Sequence, residues 1–279
     1  MTIAIASGTG LTNAAGSLIT VLDTLLLPNG WAKLHTGTNK AVYRSATSIT
    51  QCCLFVIDTG TTYATVRGYE TVSAGEFAAA TGTNAFPAAD LYVHKSDSAT
   101  SREWWGITDG EMFYYVNRYS SFDNGNLWFG DINTFANVDS FHCMIGASPT
   151  TTSNSSQLNN LAGNSVGTSL ARSYTQNVGT VALNRWSHAR LSGFSTTTTL
   201  EYPCPVGNNI FISAIEAWEG TDIIRGNFPG LYASLNNTSD FPDETEFTVS
   251  QLPGRTLKSK KLYISGLYHI MVFDITGPW

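Results

Sequence analysis

Charged side chains are scarce in this chain. Asp, Glu, Lys and Arg make up 13% of its 279 residues, about half the usual share. Helix surfaces are normally coated with Glu, Lys and Arg, so the shortage argues against a mainly helical protein. Ser, Thr, Asn and Gly fill the gap, and they favour strands and turns. Positive charge is the rarer sign: 15 Lys and Arg stand against 21 Asp and Glu. The densest basic run is Lys258, Lys260 and Lys261, far from the basic stripe of a nucleic-acid binder. It reads as a solvated strand edge, where Lys discourages unwanted strand pairing. Long apolar runs are missing too. The stretch Leu18 to Leu27 is too short for a membrane span and is broken by Thr20, Asp23 and Thr24. The start, Met1-Thr2-Ile3-Ala4-Ile5, lacks the positive n-region and apolar core of a signal peptide. The expectation is a chain made in a reducing cytosol, with no membrane insertion and no nucleic-acid partner.

Cysteine is sparse, and no Cys-x-x-Cys occurs among Cys52, Cys53, Cys143 and Cys204. In a strand, vicinal Cys52 and Cys53 point to opposite faces and cannot easily share a metal tetrahedron. They read as small buried hydrophobes. The usual catalytic and phosphate-binding motifs are absent, and the five histidines, His35, His94, His142, His188 and His269, lie in unrelated contexts. Glu70, Glu76, Asp109, Glu111, Asp123 and Asp131 supply carboxylates, but sequence pairs none of them as a glycosidase would require. Asp240, Asp243, Glu244 and Glu246 lack the order of a calcium loop and read as a solvated acidic loop. The chain is therefore expected to be no enzyme, with no cofactor and no metal.

What the sequence does contain is short strands. One helix is expected over residues 14 to 27, with Asn13 as N-cap and Leu18, Val21, Leu22 and Leu25 on one face. Pro28-Asn29-Gly30 ends it. Strand patterns follow over Ala41–Ser45, Cys53–Asp58, Ala64–Glu70, Leu91–Lys95, Glu103–Ile107, Met112–Asn117 and Ser140–Ala147. Asp58-Thr59-Gly60-Thr61 and Thr108-Asp109-Gly110-Glu111 look like hairpin turns, the second of type I′. A second group covers Ser187–Leu191, Phe211–Trp218, Gly230–Ala233, Phe247–Val249, Lys261–Ile264 and Tyr268–Asp274. The fold class is mainly β, in β-sandwich-like modules with one short N-terminal amphipathic helix. The expected division is a helix and lead-in over 1–50, a β-rich domain over 51–147, a Ser/Thr/Asn-rich loop or linker over 148–185, and a second β-rich part over 186–279.

Large aromatics meet across the second hairpin, Trp104 and Trp105 against Tyr114 and Tyr115. Packed cross-strand pairs explain them; a sugar-binding platform is the sharper alternative. A set of motifs remains: Gly30-Trp31 through Tyr43-Arg44, Ala64-Thr65-Val66-Arg67-Gly68-Tyr69-Glu70 after Asp58-Thr59-Gly60, and Trp128-Phe129-Gly130-Asp131-Ile132. The tail adds Arg225-Gly226-x-x-Pro229-Gly230-Leu231-Tyr232, Leu252-Pro253-Gly254-Arg255 and Asp274-Ile275-Thr276-Gly277-Pro278-Trp279.

As a set, these motifs resemble a family of virion structural proteins of tailed bacteriophages. The resemblance runs from about residue 14 to the end, without clear match over 148–180. It implies a virion component made in the host bacterial cytoplasm, of the tail or baseplate, with no catalytic residues to carry over. It also implies a homo-oligomer, a trimer or hexamer in contact with other virion proteins. Rival readings are a capsid or neck decoration protein, a tail protein gripping host surface glycan, and an envelope-polysaccharide hydrolase. Trp104, Trp105, Tyr114, Trp128 and Trp279 are the candidate interface or glycan contacts, and exposure of their rings decides between those two roles. Pro278 ends the last strand, and Trp279 is expected to cap a core edge or enter a neighbour's pocket.

Overall fold

The computed structural model describes residues 2–120, 124–135, 142–149, 151, 163–172, 181–187, 212–219, 223–234, 243–264 and 267–279; for 163–170, 181–187, 234, 262–264 and 267–270 it describes the backbone alone. The chain is mainly β. In order its elements are β1 (Ala4–Leu11), α1 (Ser17–Leu26), β2 (Trp31–Gly37), β3 (Lys40–Ser45), β4 (Cys53–Ile57), β5 (Tyr63–Thr71), α2 (Ala74–Ala78), β6 (Thr83–His94) and β7 (Arg102–Thr108). There follow β8 (Met112–Arg118), β9 (Asn124–Asp131), β10 (Asn133–Thr134), β11 (Cys143–Gly146), β12 (Gly163–Leu170) and β13 (Val181–Ser187). The last are β14 (Ile212–Glu219), β15 (Ile223–Ser234), β16 (Glu246–Phe247), β17 (Leu257–Ile264) and β18 (Leu267–Asp274).

The described strands form two antiparallel sheets. The smaller runs β2-β3-β4-β5-β6; the larger runs β1-β7-β8-β9-β11-β12-β13-β14-β15-β18-β17-β16, with β10 pairing beside β15. Strands β7, β8, β9 and β11 form a middle layer covered on both sides. Side chains alternate with period two along each strand. One set, Trp104, Phe113, Tyr115, Leu127, Phe129 and Ile145, packs against α1 and the small sheet. The other, Trp105, Tyr114, Val116, Trp128 and Met144, packs against Ile215, Phe228, Leu231, Met271 and Phe273 of β14, β15 and β18. The larger sheet thus turns back over itself, a sandwich-like arrangement. Two further clusters cover the outer faces, one around Phe55, Tyr69 and Phe77, the other around Leu257 and Val272. Cys52 lies in the inner core and Cys53 in the outer one, the opposite-face placement expected of vicinal strand residues. Cys52, Cys53 and Cys143 are free and buried, and burial pushes the Cys53 thiol up to about 11. Cys204 lies outside the described residues.

Several local expectations change. The helix starts at Ser17 with Gly16 as N-cap and no side-chain cap from its own turn, so Asn13 does not cap it. The cap comes from far away: Asp58, at the end of β4, accepts the Leu18 N–H at 2.8 Å. Lys95 completes the arrangement, with Nζ 2.5 Å from the other Asp58 oxygen and 2.8 Å from the Ala14 carbonyl. Both charged side chains are fully buried. Burial holds the Lys95 ammonium below its ordinary range, and the contact with Asp58 opposes that shift. The Asp109-Gly110 turn forms, but only Gly110 has positive φ (97°), so it is not type I′. Asp109 instead accepts the Glu111 and Met112 N–H groups at 2.8 and 2.9 Å.

The stretch 148–185, expected as a loop or linker, carries β12 and the start of β13. Small polar residues hid these strands, because their pairing rests on backbone ladders rather than on apolar alternation. The small sheet draws strands from both sides of the 50/51 boundary. Helix α2 was missed although its capping box, Ser73 with Glu76, is written in the sequence.

Candidate functional site

The tail motifs lie far apart in sequence and meet in one place. In β15, Gly226 passes Asn133 so closely that a Cβ would sit 2.0 Å from its carbonyl oxygen. Only glycine fits there. Three residues on, the Pro229 carbonyl accepts the Tyr114 hydroxyl at 2.8 Å. Gly230 has φ 61°, and a Cβ on it would lie 2.1 Å from Nε1 of Trp279. The Trp279 ring covers this glycine. Its N–H donates to the Asp274 carbonyl at 2.7 Å, and its ring lies 5.6 Å from that of Tyr114.

Arg255, from the Leu-Pro-Gly-Arg turn, closes the other side. Its Nη1 is 3.2 Å from an Asp274 carboxylate oxygen and donates to the Pro278 carbonyl at 3.1 Å. The second carboxylate oxygen accepts the Thr276 N–H at 2.8 Å. Gly277 (φ 54°) lies against Ile3, which joins the knot to the start of the chain. A cavity of about 180 Å³ remains between Asn133, Gly230, Tyr232, Leu252, Arg255 and Trp279. Burial pushes the Tyr114 phenol well above its ordinary value, with Asp109 and Tyr232 adding to the shift. Tyr232 is raised by burial and by Asp274, with Arg255 opposing. Both phenols stay neutral at physiological pH.

Arg225 extends the knot outward. It is buried, with Nη1 2.5 Å from Glu219 Oε2 and 2.9 Å from the Arg172 carbonyl. Arg172 in turn grips Glu70 of β5 with Nε and Nη2. Burial alone would raise the Glu70 carboxyl, but hydrogen bonds from Arg172 and Asn84 outweigh it and hold the group below its ordinary range.

The candidate aromatics fall into place here. Trp105, Tyr114 and Trp128 are buried in the core beneath the knot, and Trp279 packs half-buried on its edge. Trp104 faces the opposite core. At 6%, 3%, 0% and 0% exposure, Trp104, Trp105, Tyr114 and Trp128 have no ring face to offer a glycan, so the platform reading fails at these four. The reason is the second covering layer: alternation places aromatics on both faces of β7–β9, and both faces are packed. Trp279 is a core-edge cap.

The carboxylates are dispersed. Glu76 caps α2, and Asp109 shapes its turn. Asp131 accepts Ser48 Oγ at 2.7 Å and Thr50 Oγ1 at 2.5 Å, with His142 Nε2 at 3.7 Å. The Ser48 hydroxyl thus points at the carboxylate rather than at the histidine, the wrong order for a nucleophile–base pair. Asp123 lies outside the described residues. Among the described residues, no group of three or more His, Cys, Asp or Glu side chains is arranged to hold a metal. Asp240 lies outside the described residues; the rest of the acidic loop and the basic run form one feature. Lys260 pairs with Glu244 at 2.5 Å and Asp243 at 3.5 Å, and Lys258 with Glu246 at 3.4 Å. Asp243, Glu244, Lys260 and Lys261 border a charge-balanced cleft of about 590 Å³ that also takes in Ser7, Glu103, Arg118 and the edges of Trp104 and Trp105. No described helix is long and apolar enough to cross a membrane. No protein-family model matches the chain, and a search of curated proteins finds no match.

Proposed function

We propose that this chain is a structural component of a tailed-phage virion, of the tail or baseplate, acting through contacts between subunits. The observation that carries the reading is the use of the tail motifs. Arg225-Gly226, Pro229-Gly230, Arg255 and Asp274–Trp279 are among the residues on which the resemblance rests, and each of these serves packing. They tie β15, β18 and the chain's two ends to the middle layer. Residues spent on closing a rigid body suit a scaffold that must hold its shape in an assembly. The subunit is expected in many copies, as a trimeric or hexameric ring.

The test is purification of particles followed by mass spectrometry and a density map. The chain is expected in stoichiometric amount, with density for this layered body. Particles that lack the chain would overturn the virion role.

A further inference from the structure

We propose that the Lys95 amine and the Asp58 carboxyl condense in the folded chain into an isopeptide bond, which ties the end of β4 to the end of β6. The site is one of intramolecular modification, and it stands apart from the virion role.

The pair is set off by its surroundings. Both side chains are fully buried, and Lys95 Nζ lies 2.5 Å from Asp58 Oδ1. Arg172 with Glu70, and Lys260 with Glu244, keep part of their surface in water. Taking two charges out of water is costly, and mutual attraction only partly repays it. Transfer of a proton from Lys95 to Asp58 turns the ions into a neutral amine and a neutral acid. Burial favours that form, and it holds the Lys95 ammonium below its ordinary range.

The neutral pair is a nucleophile held against a carboxyl carbon. A desolvated Lys amine is an active nucleophile, and a fixed approach replaces an encounter in solution. Nζ attacks Cγ of Asp58. The Cγ–Nζ bond forms, and the Cγ–Oδ1 bond breaks. Oδ1 leaves as water, with its own proton and one from Nζ. The step consumes no oxidant and no co-reactant. Tyr115 is fully buried as well, and its hydroxyl meets no hydrogen-bond partner among the described residues. It feels the charge of Asp58 and stays protonated, so it has a proton to lend to the departing oxygen.

The hydrogen bonds around the pair are those of an amide. Asp58 Oδ2 accepts the Leu18 N–H at 2.8 Å, and Lys95 Nζ donates to the Ala14 carbonyl at 2.8 Å. A secondary amide offers one such oxygen and one such N–H. Oδ2 becomes the amide oxygen, and Nζ keeps the one hydrogen it needs. Both contacts survive, the cap of α1 is kept, and no buried charge remains. Residues 58–95 close into a covalent loop that takes in β5, α2 and β6.

The test is the intact mass of the full chain, folded first and then measured unfolded. The wild type is expected one water below its sequence mass. A protease digest is expected to yield a branched peptide that joins the segment around Asp58 to the segment around Lys95. Lys95→Arg keeps the cation but cannot form the amide, and Asp58→Ala removes the acid. Each is expected at its full sequence mass, and this reading does not require the variant to fold. A folded wild type that keeps its full sequence mass would overturn the bond. So would a lost water mapped elsewhere, as a cyclic imide at Asp109-Gly110, or a branched peptide that persists in Lys95→Arg. Particle content tests the virion role separately.

Discussion

The two faces of the middle layer are held by different chemistry. Toward the small sheet, the cover mixes the aliphatic face of α1 with Trp31, Tyr43 and Phe86, and its fixed point is a fully buried ion pair, Asp58 with Lys95, that also caps α1. Toward β14, β15 and β18, the cover is mixed as well, Ile215, Leu231 and Met271 beside Phe228 and Phe273, and its fixed point is Trp279 folded over Gly230. Trp104 and Trp105, neighbours in the chain, sit one on each side. A buried ion pair is directional and fails when one partner is removed. An aromatic lid is a matter of shape and fails by degrees. The comparison teaches that a chain poor in charge places a charged pair where a helix must be fixed at one angle, and leaves the rest to packing.

The largest expected effect breaks the first face. Lys95→Met leaves the Asp58 carboxylate buried without its cation and is expected to cost about 3–5 kcal/mol. Chemical denaturation measures it, and a loss under about 1 kcal/mol would show that the pair is not the fixed point. Trp279→Ala addresses the second face. The ring is only half-buried, so the loss is expected near 2 kcal/mol. Gly230→Ala forces a side chain into the left-handed region, at about 1–2 kcal/mol, and displaces the ring as well. In a double-mutant cycle the two changes should be strongly non-additive, because without Trp279 only the backbone strain remains. Simple additivity would mean that the ring does not rest on the glycine.

The smallest expected effect concerns the tie between the layers. Glu70 ionises below its ordinary carboxyl value of 4.5 when folded, held by Arg172 and Asn84. Its contribution is therefore present above that value and fades as pH falls through the lower folded value. Acid titration of stability should show this loss, and Glu70→Gln should reduce the slope. An unchanged slope would remove Glu70 from the tie.

Strand signals were legible wherever side chains alternate, as in Met112–Arg118 and Ile212–Glu219. They were not legible in β1, β9 and β12, where glycine and small polar residues give no period to follow. Packing of the hairpin aromatics was readable from their cross-strand pairing, but the segments that bury them were not. A ring on one strand face is exposed or packed according to what a distant segment lays over it. The knot follows the same logic: its turns were marked by Pro-Gly and Arg-Gly, while their meeting around Trp279 joins residues more than a hundred positions apart, as Tyr114 and Pro229 do.

The sequence by itself determined a β-rich chain with one apolar helix, and the turn glycines that backbone geometry demands. Those are local properties, fixed by side-chain periodicity and φ. Only the tertiary structure decided that Asp58 caps a helix forty residues away and that Asp243, Glu244 and Glu246 pair with Lys258 and Lys260. These depend on which segments become neighbours, and that choice is made by the burial of the whole chain at once.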